Sequence, residues 1–463
     1  MTATPLARSA GSGRPAPPVR LVHIGLGNFF RAHQAWYTQR APDGAEWGIA
    51  AFSGHDRSTL ARRLTAQEGL YTLVTRAPDA DRFEVVSAVA RSHTATDDDA
   101  WSGYFRSPAL AAVTVTVTEA GYLRADGGGL DVADPAVDAD VETLRRDITA
   151  HAVTAPGRLA AGFAARRQAD AGPMALVPCD NLQHNGAIAA RVVLDLAALV
   201  DPDLASWIAE SVSIVTTVVD RITPRTEPGD LLTVARATGS VDRCPVVTEP
   251  FHEWVLSGTF PAGRPHWEGA GATFVDDVTP FEHRKLWLLN GAHSLLAYAG
   301  SARGHATVAE AVDDEVCRRW LDQWWSEAAP HVGQSADGVE EYRTALLERF
   351  ANRRIRHRLD QIAADGSQKL PMRILPVLGA ERSAGRVPEG ALRVLAAWIS
   401  HLRGGGPPVV DVRAGEFVEL ARGPLPDAVR HVLGALDPSL AGDEPAVAVV
   451  VSQCAEFEHL QDG

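Results

Sequence analysis

The stretch LVHIGLGNFFRAHQ, residues 21–34, carries a β-branched run into two glycines and leaves them on a helical pattern. A turn of this kind joins a parallel strand to its crossover helix. Gly25 and Gly27 let the backbone approach a phosphate, and the helix N-terminus adds N–H groups and positive dipole. The third glycine of the dinucleotide fingerprint is missing, because Phe30 stands in its place. On its own the stretch fits a cofactor turn and an ordinary glycine turn equally well. Beyond the next apolar run, WGIAAFS (47–53), Asp56 stands where a carboxylate would bind the adenosine ribose, at a longer spacing than usual.

The pattern repeats along the first half of the chain. AVTVTVT (112–118), MALVPC (174–179) and SIVTTVV (213–219) read as further strands, and AIAARVVLDLAALV (187–200) as a covering helix. YTLVTR and FEVVSAV, split by APDADR, read as a hairpin added to the same sheet. After Thr279 the strand signals fade. HRKLWLLNGAHSLLAYAG, VAEAVDDEVCRRWLDQWWSEAA, YRTALLERFANRRIRHRLDQIAA and GALRVLAAWISHL all have helical periodicity. A chain of 463 residues exceeds one small core. The expected organisation is a flexible Pro/Gly/Ser-rich tail over 1–18, an α/β domain on a mostly parallel sheet over 19–278 and a mainly α-helical domain over 279–463.

Charge and cysteine usage narrow the function classes. A formal charge of −14 argues against nucleic acid, whose phosphates call for a basic face. The four cysteines, Cys179, Cys244, Cys317 and Cys454, form no C-x-x-C pair, which fits neither a zinc site nor a disulfide framework and favours a reducing cytoplasm. No segment has the length and apolarity of a membrane span or a signal peptide. None of the six tyrosines has a lysine four residues later, so the Y-x-x-x-K chemistry of short-chain dehydrogenases is excluded.

The whole chain carries a resemblance. VHIGLGNFFRAHQAWYT resembles the G-x-G-x-F-H-R-A-H-Q signature of the mannitol dehydrogenase family, the polyol-specific long-chain dehydrogenases. TEAGY (118–122), CDNLQHNG (179–186), VVDRITP (218–224), KLWLLNGAHSLLAYAG (285–300) and DGSQKLP (365–371) agree in the same order, from Val19 to about Ser400. The resemblance implies a Rossmann-type domain plus a helical domain, NAD as cofactor, no metal, and interconversion of a secondary alcohol with a ketone. It also implies that the two-glycine turn binds cofactor, through Gly25, Gly27, Asn28 and Phe29, with Asp56 on the ribose. Phe30 departs from the family, which usually has histidine there.

In FEHRKLWLLNGAHSLLAY, Glu282, Lys285, Asn290 and His293 share an arc of about 140° at roughly 100° per residue. The spacing describes a solvated polar edge as well as it describes a cleft-facing side. By resemblance, Lys285 is the general acid/base, neutral when it accepts the proton, with its pKa depressed by desolvation and cofactor charge. Asn290 and Asn181 then donate to the forming oxyanion, and His293 orients the substrate hydroxyl. Glu282 relays protons or is a surface partner of Lys285. Asp220 binds a substrate hydroxyl or positions a side chain, while Arg221 is read as a structural ion pair. Lys369 is the family's substrate lysine, which places the active site between the two domains. Trp-rich WLDQWW is read as a core stripe.

Substrate choice divides the motifs. CDNLQHNG and DRITPRT look like mannitol 2-dehydrogenases, whereas RHRLDQIAADGSQKLPMR looks like fructuronate reductases, which act on mannonate. Mannitol enzymes usually carry an arginine at the position of Gln361. Arg373, four residues after Lys369, is either a carboxylate-binding group or an exposed helix charge. The expected partners are a small polyol, ketose or aldonate, with no nucleic acid and no membrane, for a monomer or weak homo-oligomer. The alternative from another class is a Rossmann-fold binding protein that has lost catalysis.

Overall fold

The computed structural model describes residues 4–54, 59–125 and 127–459. Asp56 lies outside them. The chain divides into two compact units, Met1–Val278 and Thr279–Gly463.

Unit 1 is built on a six-stranded parallel sheet, whose strands we number in chain order: β1 (Val19–Ile24), β2 (Gly48–Phe52), β3 (Val89–His93), β4 (Ala112–Val115), β5 (Met174–Pro178) and β6 (Val212–Ile214). They lie side by side as β3-β2-β1-β4-β5-β6. This is the doubly wound order of dinucleotide-binding sheets, with its reversal point between β1 and β4. Alternation along the strands fills both faces. Val22, Ile24, Val113, Val115 and Leu176 pack under the helices Ala155–Gln168 and Asn185–Val200. Leu21, Ile49, Ala51, Ala175 and Val177 face an aromatic layer that includes Trp36, Tyr37, Trp254 and Trp267. With both faces buried, the strands read as nearly continuous apolar runs.

Several expectations fail for one reason: an apolar run does not say which sheet it joins. The hairpin Tyr71–Arg76/Asp81–Val86 exists but is not part of the main sheet. Its first strand pairs in parallel with Val246–Thr248, a partner distant in sequence. SIVTTVV splits at Val215, and Thr216–Asp220 leaves the main sheet to pair antiparallel with Glu253–Ser257. The edge strand β3 was not foreseen. The expected tail is also docked. Thr4–Pro5 pairs with Ser240–Val241, Leu6 is buried, and the Arg8 guanidinium donates to the carbonyls of Glu68, Ser87 and Val89.

Unit 2 is helical. Glu389–Leu402 is apolar almost all round and buried along its length, as a central helix must be. The long periodic stretch 342–364 does not form one helix. Ala336–Phe350 ends there, Asn352 Oδ1 accepts from Arg354 N at 3.1 Å in a tight turn, and Leu359–Ile362 restarts. No helix among the described residues is long and apolar enough to cross a membrane. All four cysteines are buried and free.

His23 shows how far the unit 1 sheet controls its polar groups. It is buried between Thr114 Oγ1 (2.8 Å) and Thr116 Oγ1 (3.0 Å), and Phe30 stacks on it with ring centroids 3.6 Å apart. The unusual phenylalanine of the signature is thus matched by a histidine on β1. Burial pushes the His23 pKa from 6.5 down to about 3. The unfolded chain therefore binds more protons between those values. This contribution is complete above pH 6.5 and falls with pH by about 1.4 kcal/mol per unit. Denaturant unfolding at pH 7, 6 and 5 checks it: His23→Gln is expected to flatten the slope by that amount, and an unchanged slope counts against the assignment.

Candidate active site

The unit 1 motifs gather at the carboxyl ends of β1, β4 and β5. Gly25 has φ +102°, and a Cβ there would lie 2.0 Å from the Thr116 carbonyl. Only glycine lets β1 turn so close to β4. Gly27 caps the Asn28–Ala32 helix in extended backbone, and a Cβ there would meet only the Gly25 carbonyl, at 3.5 Å. Packing within the chain therefore does not require a glycine at 27, and the backbone there is open to close approach. The residues after it lock the turn. Arg31, buried, donates to Gly27 O (3.1 Å), Cys244 O (2.5 Å) and Asn28 Oδ1 (2.6 Å). Asn28 Nδ2 donates to Pro224 O (3.4 Å) and Thr226 Oγ1 (3.3 Å), and half-buried Phe29 stacks on His33.

The other motifs interlock beside this turn. The Tyr122 hydroxyl donates to the Asp180 carboxylate, which also accepts from Leu182 N at 3.2 Å. Asn185 exchanges hydrogen bonds with the Thr217 backbone, at 2.9 and 3.0 Å. Between these anchors Asn181 is exposed. Asp220, at the end of its strand, is buried to 3 % exposure. Arg221 is structural: the Glu249 carboxylate offsets its burial, its hydrogen bonds go to the carbonyls of Ala32 (2.5 Å) and Glu249 (3.3 Å), and it lies over Trp36. It joins the DRITP and RAHQ motifs.

In unit 2, Glu282, Lys285, Asn290 and His293 lie on one rod, whereas Lys369 and Arg373 lie on the helix Gly366–Arg373. The α-helix Thr279–His283 runs into a π-helix, Arg284–Gly291, then a turn of α-helix, Ala292–Leu295, then a second π segment, Leu296–Gly300. Bonding from i to i+5 widens the helix and is frequent at functional sites. Lys285 and Asn290 are five apart, so they line up more closely here than α-helical spacing allows. The buried Trp324 and Trp325 of WLDQWW support the widened turn. Trp324 Nε1 donates to Trp287 O at 2.9 Å and Trp325 Nε1 to Leu288 O at 2.8 Å. A Cβ on Gly291 would lie 2.7 Å from the Trp324 ring.

Lys285 is 8 % exposed, His293 7 % and Glu282 4 %, which removes the surface reading of Glu282. Arg373 is half-buried and turned toward this rod, donating to Asn290 O (3.4 Å) and Ser294 Oγ (3.2 Å), so it is no free helix charge. Lys369, one turn earlier, donates to Ile362 O (3.3 Å) and Ala364 O (2.5 Å). Gln361 is exposed. Burial, then the basic His357, Arg349, Arg373 and Lys369, hold the His293 pKa well below its ordinary value. Sequence reasoning missed Arg349 and His357. Both lie in a basic run whose periodicity pointed to a plain helix. His305, Asp314 and Cys317 cluster at metal-ligand spacing, but Arg303 stands 2.5 Å from the Asp314 carboxylate with the charge of a competing cation.

Two family models cover the chain: the mannitol dehydrogenase Rossmann domain matches residues 19–269 and the mannitol dehydrogenase C-terminal domain matches 277–419. The chain belongs to the mannitol dehydrogenase family. It is an oxidoreductase of that family. It is 36% identical over 437 residues to D-mannonate oxidoreductase of Escherichia coli K12, covering 90% of this chain and 87% of that one. D-arabinitol 4-dehydrogenase of Ralstonia nicotianae is 39% identical over 394 residues, with 83% of each chain covered. The structure of Pseudomonas fluorescens mannitol 2-dehydrogenase, a ternary complex with NAD and D-mannitol, superposes with a TM-score of 0.83 at 29% identity. That match covers 100% of this chain and 97% of that one.

The two glycines are separable by experiment. Gly25→Ala is expected to lose at least about 2 kcal/mol of unfolding free energy, from positive φ and the Thr116 clash. Gly27→Ala is expected to lose less than about 1 kcal/mol. Equal losses in denaturant titrations would show that both glycines are structural.

Proposed function

We propose that the protein is an NAD-dependent, metal-independent dehydrogenase that interconverts a secondary alcohol of a polyol with the corresponding ketose, with Lys285 as general acid/base. The observation that carries this reading is the burial of Lys285 on the π segment it shares with Asn290, one turn before His293. The doubly wound sheet and the open backbone at Gly27 fit a dinucleotide, and the solved relative binds NAD. NAD, when bound, supplies the hydride acceptor. The remaining tasks fall to the chain. Lys285, neutral, takes the carbinol proton. Its burial keeps the amine out of bulk solvent, where it is placed to act as the base. Asn290 and Asn181 donate amide N–H groups to the oxygen as negative charge develops, where a preformed donor has most effect. His293, held neutral by its burial, orients the hydroxyl. Asp220 binds a further hydroxyl, Lys369 binds substrate, and Glu282 passes the proton onward.

A second reading, an aldonate such as D-mannonate, is favoured by Arg373. Its guanidinium lies against the carbonyl of Asn290, and the charged groups that act on His293 are all basic. An anionic substrate would find compensation there. D-mannitol, D-arabinitol and D-mannonate, each tested with NAD and NADP, decide the class. Arg373→Ala separates the readings. On an aldonate it is expected to lower kcat/KM about ten- to hundredfold, the equivalent of ~1.5–3 kcal/mol, while leaving a polyol nearly unchanged. A weak, equal effect on both would remove the carboxylate role.

A further inference from the structure

His293 has a neighbour with no role so far. His357 comes from the chain between Ala336–Phe350 and Leu359–Ile362, and the two imidazoles meet edge to face, with centroids 4.8 Å apart and planes at 83°. They are delivered by separate parts of unit 2. His293 sits on the short α segment between the two π segments. His357 follows Arg356, whose φ of +48° lies in the left-handed region. That conformation is unfavourable for a non-glycine residue, so the surroundings hold the turn that presents His357. Val308 N donates to the His357 carbonyl at 2.9 Å, and a β-bridge joins Thr307 to Arg358.

Both rings are neutral near pH 7. Burial is the leading cause for each, and it pushes His357 to about 4. A neutral imidazole has one N–H and one lone-pair nitrogen. His293 Nε2 and His357 Nδ1 are buried and have no hydrogen-bond partner among the described residues. A buried polar atom without a partner is costly, and two in adjoining rings call for an explanation. Ring packing alone is not enough, since Phe350 already packs on His293 without a polar atom to satisfy. A cation does not suit the place, because Arg349, Arg373 and Lys369 all act on His293. A pair of neighbouring hydroxyls does suit it. Each hydroxyl both donates and accepts, so each can serve either tautomer of the ring it meets.

We propose that His357 is a specificity-determining residue that, together with His293, binds two adjacent hydroxyls of the substrate. This rests on the reading of His293 as a substrate-binding group. His293 takes the reacting hydroxyl, and His357 takes the hydroxyl on the next carbon. A site built to pair with a hydroxyl rejects an analogue that lacks it, because the protein group is then left buried and unpaired.

The test compares D-mannitol or D-mannonate, whichever turns over faster, with its analogue lacking the hydroxyl next to the reacting carbon. Wild-type enzyme is expected to lose about ten- to a hundredfold in kcat/KM on the deoxy analogue, mostly through KM. His357→Phe keeps a ring but no nitrogen, and is expected to treat the two compounds within about threefold of each other. His357→Gln, whose amide can pair with a hydroxyl, is expected to recover part of the discrimination, and it carries the test if His357→Phe does not fold. A His357→Phe enzyme that discriminates as strongly as wild type overturns the proposal, as does a wild-type enzyme indifferent to the missing hydroxyl. Lys285→Ala run in parallel separates the two readings: full turnover there would defeat the proposed chemistry, whereas unchanged discrimination in the His357 variants defeats only this inference.

Discussion

Two indole N–H groups hold the segment on which the proposed chemistry depends. A π-helix has poorer hydrogen-bond geometry than an α-helix and persists where its surroundings favour it. Here Trp324 and Trp325 donate into the segment at Trp287 O and Leu288 O, and the bare Cα of Gly291 admits the Trp324 ring. The result is a widened turn that aligns Lys285 with Asn290. The same rod organises the loop that precedes Lys369. The Tyr298 hydroxyl donates to Ala363 O at 2.9 Å, and Gly366 is a glycine because a Cβ would strike both Tyr298 and Trp398. The tryptophan stripe is therefore core, and it is also the support of the proposed base.

Unit 1 follows a comparable logic with backbone in place of indoles. Most of its motif residues do not reach outward; they bind one another. Arg31, Arg221, Asn28 and Asn185 spend their side chains largely on backbone carbonyls and amides of neighbouring segments. Arg31, Arg221 and Asn185 are buried, and such engaged polar groups fix local geometry, since each lost partner would leave a desolvated donor or acceptor. Asn181, exposed between the Asp180 and Leu182 anchors, is what that framework presents.

Much of this was legible in the sequence, because strand alternation and glycine turns are local signals. β1, β2, β4 and β5 lie close to where their apolar runs place them, and the Gly25 turn is read correctly from two glycines between a strand and a helix. Long-range partners were not legible. Nothing in YTLVTR announces pairing with Val246–Thr248, and nothing in SIVTTVV marks the change of sheet at Val215. The π register was also hidden, since i+5 bonding depends on Trp324 and Trp325, far along the chain. The arc drawn at 100° per residue assumed an α-helix, whereas Lys285 and Asn290 share a π segment. His357 escaped because its neighbour His293 is distant in sequence, and the Arg356 turn between them and any periodic pattern is fixed by tertiary packing.

The central claim, that the Lys285 amine carries the proton, is tested most directly by chemical rescue. In Lys285→Ala, turnover of the preferred substrate with NAD is expected to fall by orders of magnitude while NADH binding persists. Added primary amines are then expected to restore the rate in proportion to their concentration, with more basic amines acting better at equal free-base concentration. A variant that keeps most of its activity without amine, or one that binds NADH and substrate normally yet responds to no amine, would contradict the account.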